Sequence, residues 1–450
     1  MKREIYKQLL IWKNSKKRKP LILKGARQIG KTHILKSFAE HEFEGFHYFN
    51  FEEDNRLSIF FNDDLDPERI IKNISLYKEK KINLKKDILI LDEIQACPRA
   101  LTSLKYFYEK IPELAVTAAG SLLGVTLNEF SFPVGKVDTL EMYPMSFREF
   151  LLALNKKDLV DFLDKVKDEI PEPIHEKLWD IFKIYLIVGG LPEVVLEYVE
   201  NKNESKNVFK LVREKQNQLI NDYMADMAKH SGKENSLHLT KIWTHIPLHL
   251  ARDINGSATK FQFKGIIPEK NRYSRLAGAI DWLDATGLII KIPILEKADL
   301  PLKAYTKENS FKLMIFDVGI LGALSKISPF TILDYDYGSY KGYYAENFVA
   351  MELLSFQGND KTLYSWKENQ SEIEFLKEID GKLYPIEVKS GHITKSKSLY
   401  SFSQRYKNIG FKTILSARNI KIDELNNLRK YPLYYVSWVW KKTSSKNIYE

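Results

Sequence analysis

The sequence predicts an α/β chain of several domains, with a parallel sheet in the first and a second α/β unit toward the C-terminal end. Three observations point there. An apolar run at residues 21–23 enters a glycine-spaced loop and then a helical pattern. A continuous apolar run at residues 88–91 ends in two acids, as a strand buried on both faces does. Much later, Asp380-Gly381 separates two alternating segments, a strong two-residue hairpin signal.

At about 100–200 residues per domain, 450 residues suggest roughly three domains. The formal charge of +10 is compatible with a nucleic-acid partner, because Lys and Arg neutralising phosphates dominate such binding. A solvated basic surface accounts for the same excess. The single cysteine, Cys97, excludes an internal disulfide and a cysteine metal cage. Its place after an apolar strand suits a buried, inert thiol. No apolar run approaches the length of about 20 residues that spans a membrane. The N-terminal segment MKREIYKQLLIWKNSKKRKP lacks a signal-peptide core. The expectation is a cytoplasmic chain with no membrane partner.

In the first domain, PLILKGARQIGKT carries Gly25, Ala26, Arg27, Gln28, Ile29, Gly30, Lys31 and Thr32 in the P-loop pattern, between a strand and a helix. Glycines let backbone N–H groups turn onto phosphate oxygens. Lys31 reaches the β- and γ-phosphates, and the Thr32 hydroxyl ligates Mg²⁺. The helix over residues 32–40 points its positive end at the anion. The cofactors implied are ATP and Mg. DILILDEIQ supplies the partner strand, with Asp92 for Mg²⁺ and Glu93 to orient or activate the attacking water. Further strands fall at residues 45–54, 115–119 and 137–143. Ser121, just past the run at 115–119, is placed to sense the γ-phosphate, so Lys31, Glu93 and Ser121 form the candidate catalytic set. Order and pattern suggest an extra strand beside the P-loop strand, with ligands at the carboxyl ends. A helix follows at residues 146–154.

Residues 175–200 read as two helices broken at Gly189-Gly190-Leu191-Pro192-Glu193. The break is either a plain interhelical turn or a lid loop that touches nucleotide through Pro192. Helical spacing continues at residues 205–228, 239–254 and 273–285, and Gly287 ends the last. A strand at residues 288–292 then suggests a winged helix. In that reading Lys270, Arg272 and Arg275 start the exposed helix, where DNA contacts arise. A protein–protein joint fits the same pattern.

With its turn at Asp380-Gly381, the late hairpin sets Ile379 opposite Lys382, Phe375 opposite Ile386 and Glu374 opposite Glu387. Ile373 faces Val388, and Glu372 faces Lys389. One face is apolar and the other acidic. Directly opposed glutamates are unfavourable by up to about 1 kcal/mol; a divalent cation reverses that sign. Glu374 and Glu387 are therefore candidate metal ligands, with Lys389 beside them and Glu346, on an upstream amphipathic helix, as a third acid. A cross-strand ion pair between Glu372 and Lys389 is the plainer alternative.

GARQIGKT, ILILDEI, YPMSFREFL, GGLPEVV, FKLMIFDVGIL and ENFV…SEIEF…PIEVKSG stand in one order along nearly the whole chain. Together they resemble prokaryotic AAA-type ATP-binding proteins whose C-terminal part is the domain of unknown function numbered 4143. The resemblance implies a P-loop AAA-like ATPase core (1–155), a helical lid (156–235), a winged helix (236–330) and an α/β restriction-endonuclease-like C-terminal domain (331–450). The last is similar to PD-(D/E)XK nucleases, whose active-site pattern falls on Glu346, Glu374, Glu387 and Lys389. Glu374 departs from it, since Asp is usual there. The GGLP turn resembles the lid motif of signalling ATPases, which again singles out Pro192. Arg148 and Arg99 are the candidate arginine fingers. The expectation is an ATP-hydrolysing protein that couples nucleotide state to DNA binding or processing. The alternative is a nucleotide-dependent switch or scaffold, with an inactive nuclease-like domain that recruits proteins. A homo-oligomer or a protein partner fits either.

Overall fold

The structure is a computed structural model and describes residues 1–121, 123, 132–203, 207–251, 260–267, 272–334, 340–355, 362–391 and 396–444. Its contacts divide the chain into two units, residues 1–143 with 285–287, and residues 144–284 with 288–450.

The first unit holds β1 (Leu21–Lys24), β2 (Gly45–Asn50), β3 (Asp87–Asp92), β4 (Ala115–Ala119) and β5 (Asp138–Glu141). They form one sheet in the order β2-β3-β4-β1-β5, with every adjacent pair parallel. β4 is the expected extra strand beside the P-loop strand. β3 and β4 are buried along their whole length, which is why both read as continuous apolar runs rather than alternations. Phe107, Leu101 and Leu104 of the helix Pro98–Lys110 join Ile70 and Ile74 of the helix Pro67–Tyr77 in the core over Leu89, Leu91 and Val116. Cys97 is buried in this core, as expected.

The second unit begins with helices. Phe147–Ala153 starts on a capping box, in which Ser146 and Glu149 satisfy each other's backbone N–H groups. This helix was expected to close the first domain. It packs within the second unit because Phe147 and Phe150 meet the rings of Phe182 and Tyr185. Glu172–Val188, Pro192–Asn201 and Val208–Ser231 follow; the expected start of the last, at residue 205, lies outside the described residues. Lys233–Ala251 and Tyr273–Ala285 complete the helical region.

An eight-stranded mixed sheet completes the unit. Its strands are β6 (Ile289–Leu295), β7 (Thr306–Ile315), β8 (Tyr364–Glu368), β9 (Ser371–Ile379), β10 (Lys382–Val388), β11 (Lys412–Ser416), β12 (Lys421–Asp423) and β13 (Leu428–Pro432). Their order is β12-β13-β11-β10-β9-β8-β6-β7. The strand expected to belong to a wing, β6, pairs with β7 and is thus part of the C-terminal sheet, through parallel pairing of Ile294 and Leu295 with Ser365 and Trp366. The sheet crosses the expected boundary at residues 330/331. Backbone pairing decides this, and no local pattern announces which distant strand an edge will take.

The β9–β10 register is the expected one, with Ile379 opposite Lys382 and Phe375 opposite Ile386. Asp380 and Gly381 both have positive φ, 51° and 71°, as a type I′ turn requires. On the acidic face Glu374 and Glu387 are buried, 5% and 2% exposed, while Glu378 is exposed.

Candidate nucleotide site and the C-terminal acidic cluster

The loop from Gly25 to Gly30 leaves β1 at its carboxyl end and feeds the helix Lys31–Glu42. Gly25 has φ 141°, and a Cβ there would lie 2.2 Å from the Met142 carbonyl oxygen. Gly30 has φ 92° and Gln28 has φ 61°, so the loop turns through the left-handed region more than once, as an anion cradle of inward N–H groups does. Ala26 and Ile29 are buried and anchor it. Arg3 clamps it from outside, donating to the carbonyls of Ile29 (2.9 Å) and Tyr143 (2.6 Å). No motif pointed to Arg3.

The candidate residues converge. Lys31 Nζ donates to the Gly25 and Ala26 carbonyls at 2.9 and 2.7 Å. Burial lowers its pKa to about 8, against the pull of Glu93 and Asp92. The Thr32 hydroxyl donates to Asp92 Oδ2 at 2.6 Å, and the Tyr48 hydroxyl donates to the same oxygen at 2.9 Å. These are hard oxygen donors of the kind Mg²⁺ takes alongside phosphate and water, so the residues fit the expected ion. Glu93, the first residue past β3, has φ 47°. That left-handed turn is costly for a residue with a side chain and is a mark of functional positions. Burial raises the Glu93 pKa, and Gln95 Nε2 donates to its Oε2 at 2.5 Å. Ser121 is buried just past β4, between the strands that carry Asp92 and the loop. Its Oγ accepts from Arg27 Nε at 3.3 Å, while Arg27 also pairs with Glu52. The sequence reading missed Glu52, Tyr48 and Gln95, because strand ends alone do not say which side chains meet.

The other candidates lie elsewhere. Arg99 donates to the Phe61 and Asp63 carbonyls, and Arg148 pairs with Asp164 at 2.7 Å with its side chain 10% exposed. Both candidate arginine fingers are thus engaged within their own units. Pro192 is the first residue of Pro192–Asn201. The turn before it is held by Asp317, whose Oδ2 accepts from the Gly190 N–H at 2.6 Å while Oδ1 caps Ile320. Met145 N–H donates to the Gly190 carbonyl at 2.7 Å. YPMSF, GGLP and FDVGIL therefore meet at one joint. Arg272 and Arg275 are exposed at the start of Tyr273–Ala285, and Lys270 lies outside the described residues.

Glu346 of the helix Tyr340–Ser355 and Glu374 and Glu387 of the C-terminal sheet are all buried, and cations of this chain already accompany them. Lys312 of β7 is 2.6 Å from Glu372 and 3.6 Å from Glu346. Lys367 is 3.2 Å from Glu372, and Lys389 is 2.6 Å from Glu387. Lys389 thus pairs with Glu387 rather than with Glu372. Ser396 Oγ donates to Glu387, and Glu374 accepts from the Val388 N–H at 3.1 Å. Burial, with Glu346 and Glu387 adding to it, pushes the Glu374 pKa up to about 8. Burial works against charge on Lys312, but Glu346, Glu372 and Glu374 more than offset it and raise its pKa. Among the described residues, no group of three or more His, Cys, Asp or Glu side chains is arranged to hold a metal ion. The cluster does not fit the expected metal. Lys312 was legible only as a lone lysine in the apolar run FKLMIF.

Three family models match the chain in succession: an AAA domain over residues 17–151, a domain of unknown function (DUF8612) over 180–331, and a domain of unknown function (DUF4143) over 341–434. No curated protein matches the chain. Among solved structures, the Walker-type ATPase PABY2304 of Pyrococcus abyssi is similar at 16% identity and TM-score 0.43, over 72% of this chain and 95% of that one. The Orc1 protein of Aeropyrum pernix in complex with DNA is similar at 14% identity and TM-score 0.32, over 72% and 90%. The RuvB Holliday junction branch migration motor of Thermotoga maritima is similar at 14% and 0.31, over 65% and 90%. No helix among the described residues is long and apolar enough to cross a membrane.

Proposed function

We propose that this chain, an AAA domain followed by the domains of unknown function 8612 and 4143, hydrolyses ATP and couples nucleotide state to engagement of DNA. The contact of the Thr32 hydroxyl with Asp92, beside Lys31 and Glu93, carries the reading. Thr32 and Asp92 would hold Mg²⁺, which when bound neutralises charge on the phosphate oxygens. Lys31 supplies fixed positive charge toward the β- and γ-phosphates, and the loop N–H groups supply the rest. Glu93 accepts a hydrogen bond from water and aligns it for in-line attack; its raised pKa suits a base. Ser121 offers a hydroxyl for the terminal phosphate, and Pro192 contributes from the lid turn. DNA engagement is supported by the charge of +10 and the exposed Arg272 and Arg275. Purified Lys31→Ala should lose ATP turnover; turnover equal to that of the wild type would reject the assignment.

A second reading is a nucleotide-dependent switch or scaffold whose nuclease-like domain does not cleave and recruits proteins instead. The ion pairs of Glu372 with Lys312 and of Glu387 with Lys389 favour it. Nicking of plasmid DNA with Mg²⁺ or Mn²⁺, lost in Glu387→Ala, would exclude it.

A further inference from the structure

The acids of β9, β10 and the helix Tyr340–Ser355 are brought close together in a buried place. Carboxylates gathered out of water need compensating positive charge, because an isolated buried charge costs far more than its neighbours return. In a metal-dependent nuclease a divalent ion supplies it. Here it comes from this chain. The Lys312 side chain is 0% exposed, with Nζ 2.6 Å from Glu372 and 3.6 Å from Glu346.

We infer that Lys312, set against Glu372 and Glu346, supplies the cation of this buried acidic cluster, so that the C-terminal domain is held together by an internal ammonium and takes no catalytic Mg²⁺. Three observations carry this. Lys312 is enclosed and cannot swing into solvent as an exposed lysine does. The remaining acids are committed as well: Glu387 to Lys389 and to the Ser396 hydroxyl, Glu374 to the Val388 N–H. Among the described residues no group of three or more His, Cys, Asp or Glu side chains could hold a metal ion without other ligands. Lys312 lies on β7, with β6 and β8 between it and β9 in the sheet order, so it belongs to no acid motif of the hairpin. The inference concerns the C-terminal domain alone and stands whether or not ATP is hydrolysed.

The test uses the full chain without nucleotide, carrying Asp92→Asn throughout so that the P-loop carboxylate does not take the ion. Mn²⁺ binding is followed by electron paramagnetic resonance, and unfolding temperature is read with and without Mn²⁺. In this background the protein should bind no Mn²⁺ up to millimolar concentration, and its unfolding temperature should not move. Adding Lys312→Met, neutral and of similar length, should lower the unfolding temperature in chelator. Mn²⁺ should then restore it, and adding Glu372→Gln should abolish the restoration. Tight Mn²⁺ binding by the Asp92→Asn protein that disappears with Glu387→Gln would overturn the inference, and this arm holds even where the Lys312 variant fails to fold. A folded Lys312→Met protein indifferent to Mn²⁺ would overturn it too.

Discussion

The Thr32 hydroxyl donates to Asp92 Oδ2 at 2.6 Å across a sequence separation of 60 residues. The contact joins the end of the P-loop to the end of β3, although β4 lies between β1 and β3. If both oxygens serve one ion, Thr32→Val and Asp92→Asn should each lower Mg²⁺-dependent turnover by at least about 100-fold, and the double variant should lose little more. Steady-state phosphate release measures all three proteins. Losses that multiply would mean that the two residues act separately.

Lys31 gives the nucleotide site a pH signature. Its pKa in the fold is lowered to about 8 by burial, from the ordinary 10.5. Between those values the unfolded chain holds a proton that the native protein lacks, so stability from this group is present above the window and lost as pH falls through about 8. ATP binding needs the ammonium form. Affinity should therefore weaken above pH ~8, by up to about tenfold per pH unit, with proton uptake on binding. Calorimetric titrations in buffers of different ionisation heat measure both. Flat affinity across that range would show that Lys31 stays charged.

The joint at the GGLP turn makes a local prediction. A Cβ on Gly190 would lie 2.2 Å from the Met145 carbonyl oxygen, a backbone atom that cannot step aside. Gly190→Ala should cost about 1–3 kcal/mol of stability, the range for forced overpacking. Gly381→Ala meets nothing within 4 Å and carries only the strain of φ 71°, about 1–2 kcal/mol. Denaturant unfolding of both separates the effects. If the turn serves as the proposed lid, Gly190→Ala should also weaken ATP affinity, and Gly381→Ala should leave it unchanged.

Glu374 titrates in the opposite sense to Lys31. Burial raises its carboxyl to about 8 from 4.5, so the native state holds the extra proton. The associated stability is present below about 4.5 and is lost as pH rises through about 8. Glu374→Gln removes this titration. Its stability relative to the wild type should rise from pH ~5.5 to pH ~8.5, by at most about 1.4 kcal/mol per pH unit. A constant difference in melting temperature across that range would count against it.

Strands and turns were legible where local chemistry is decisive. Local pattern marked the five strands of the first sheet, and Asp380-Gly381 set the hairpin register to the residue. Positive φ at Gly25, Gly30 and Gly381 is a demand that only a few residue types meet cheaply. Lys31, Thr32, Asp92 and Glu93 could be named from sequence for the same reason, since their spacing relative to strand ends is itself the motif.

What the sequence determined alone was therefore periodicity, turn chemistry and the order of the motifs, because each depends on neighbours a few residues apart. Tertiary structure decided three other matters. It joined β6 and β7 to the C-terminal sheet through backbone pairing. It gathered Met145, Gly190 and Asp317 at one turn. It also brought Lys312, from outside the hairpin, to Glu346 and Glu372. A buried charge is settled by whichever opposite charge the fold brings within a few ångströms, and that partner need not be near in sequence.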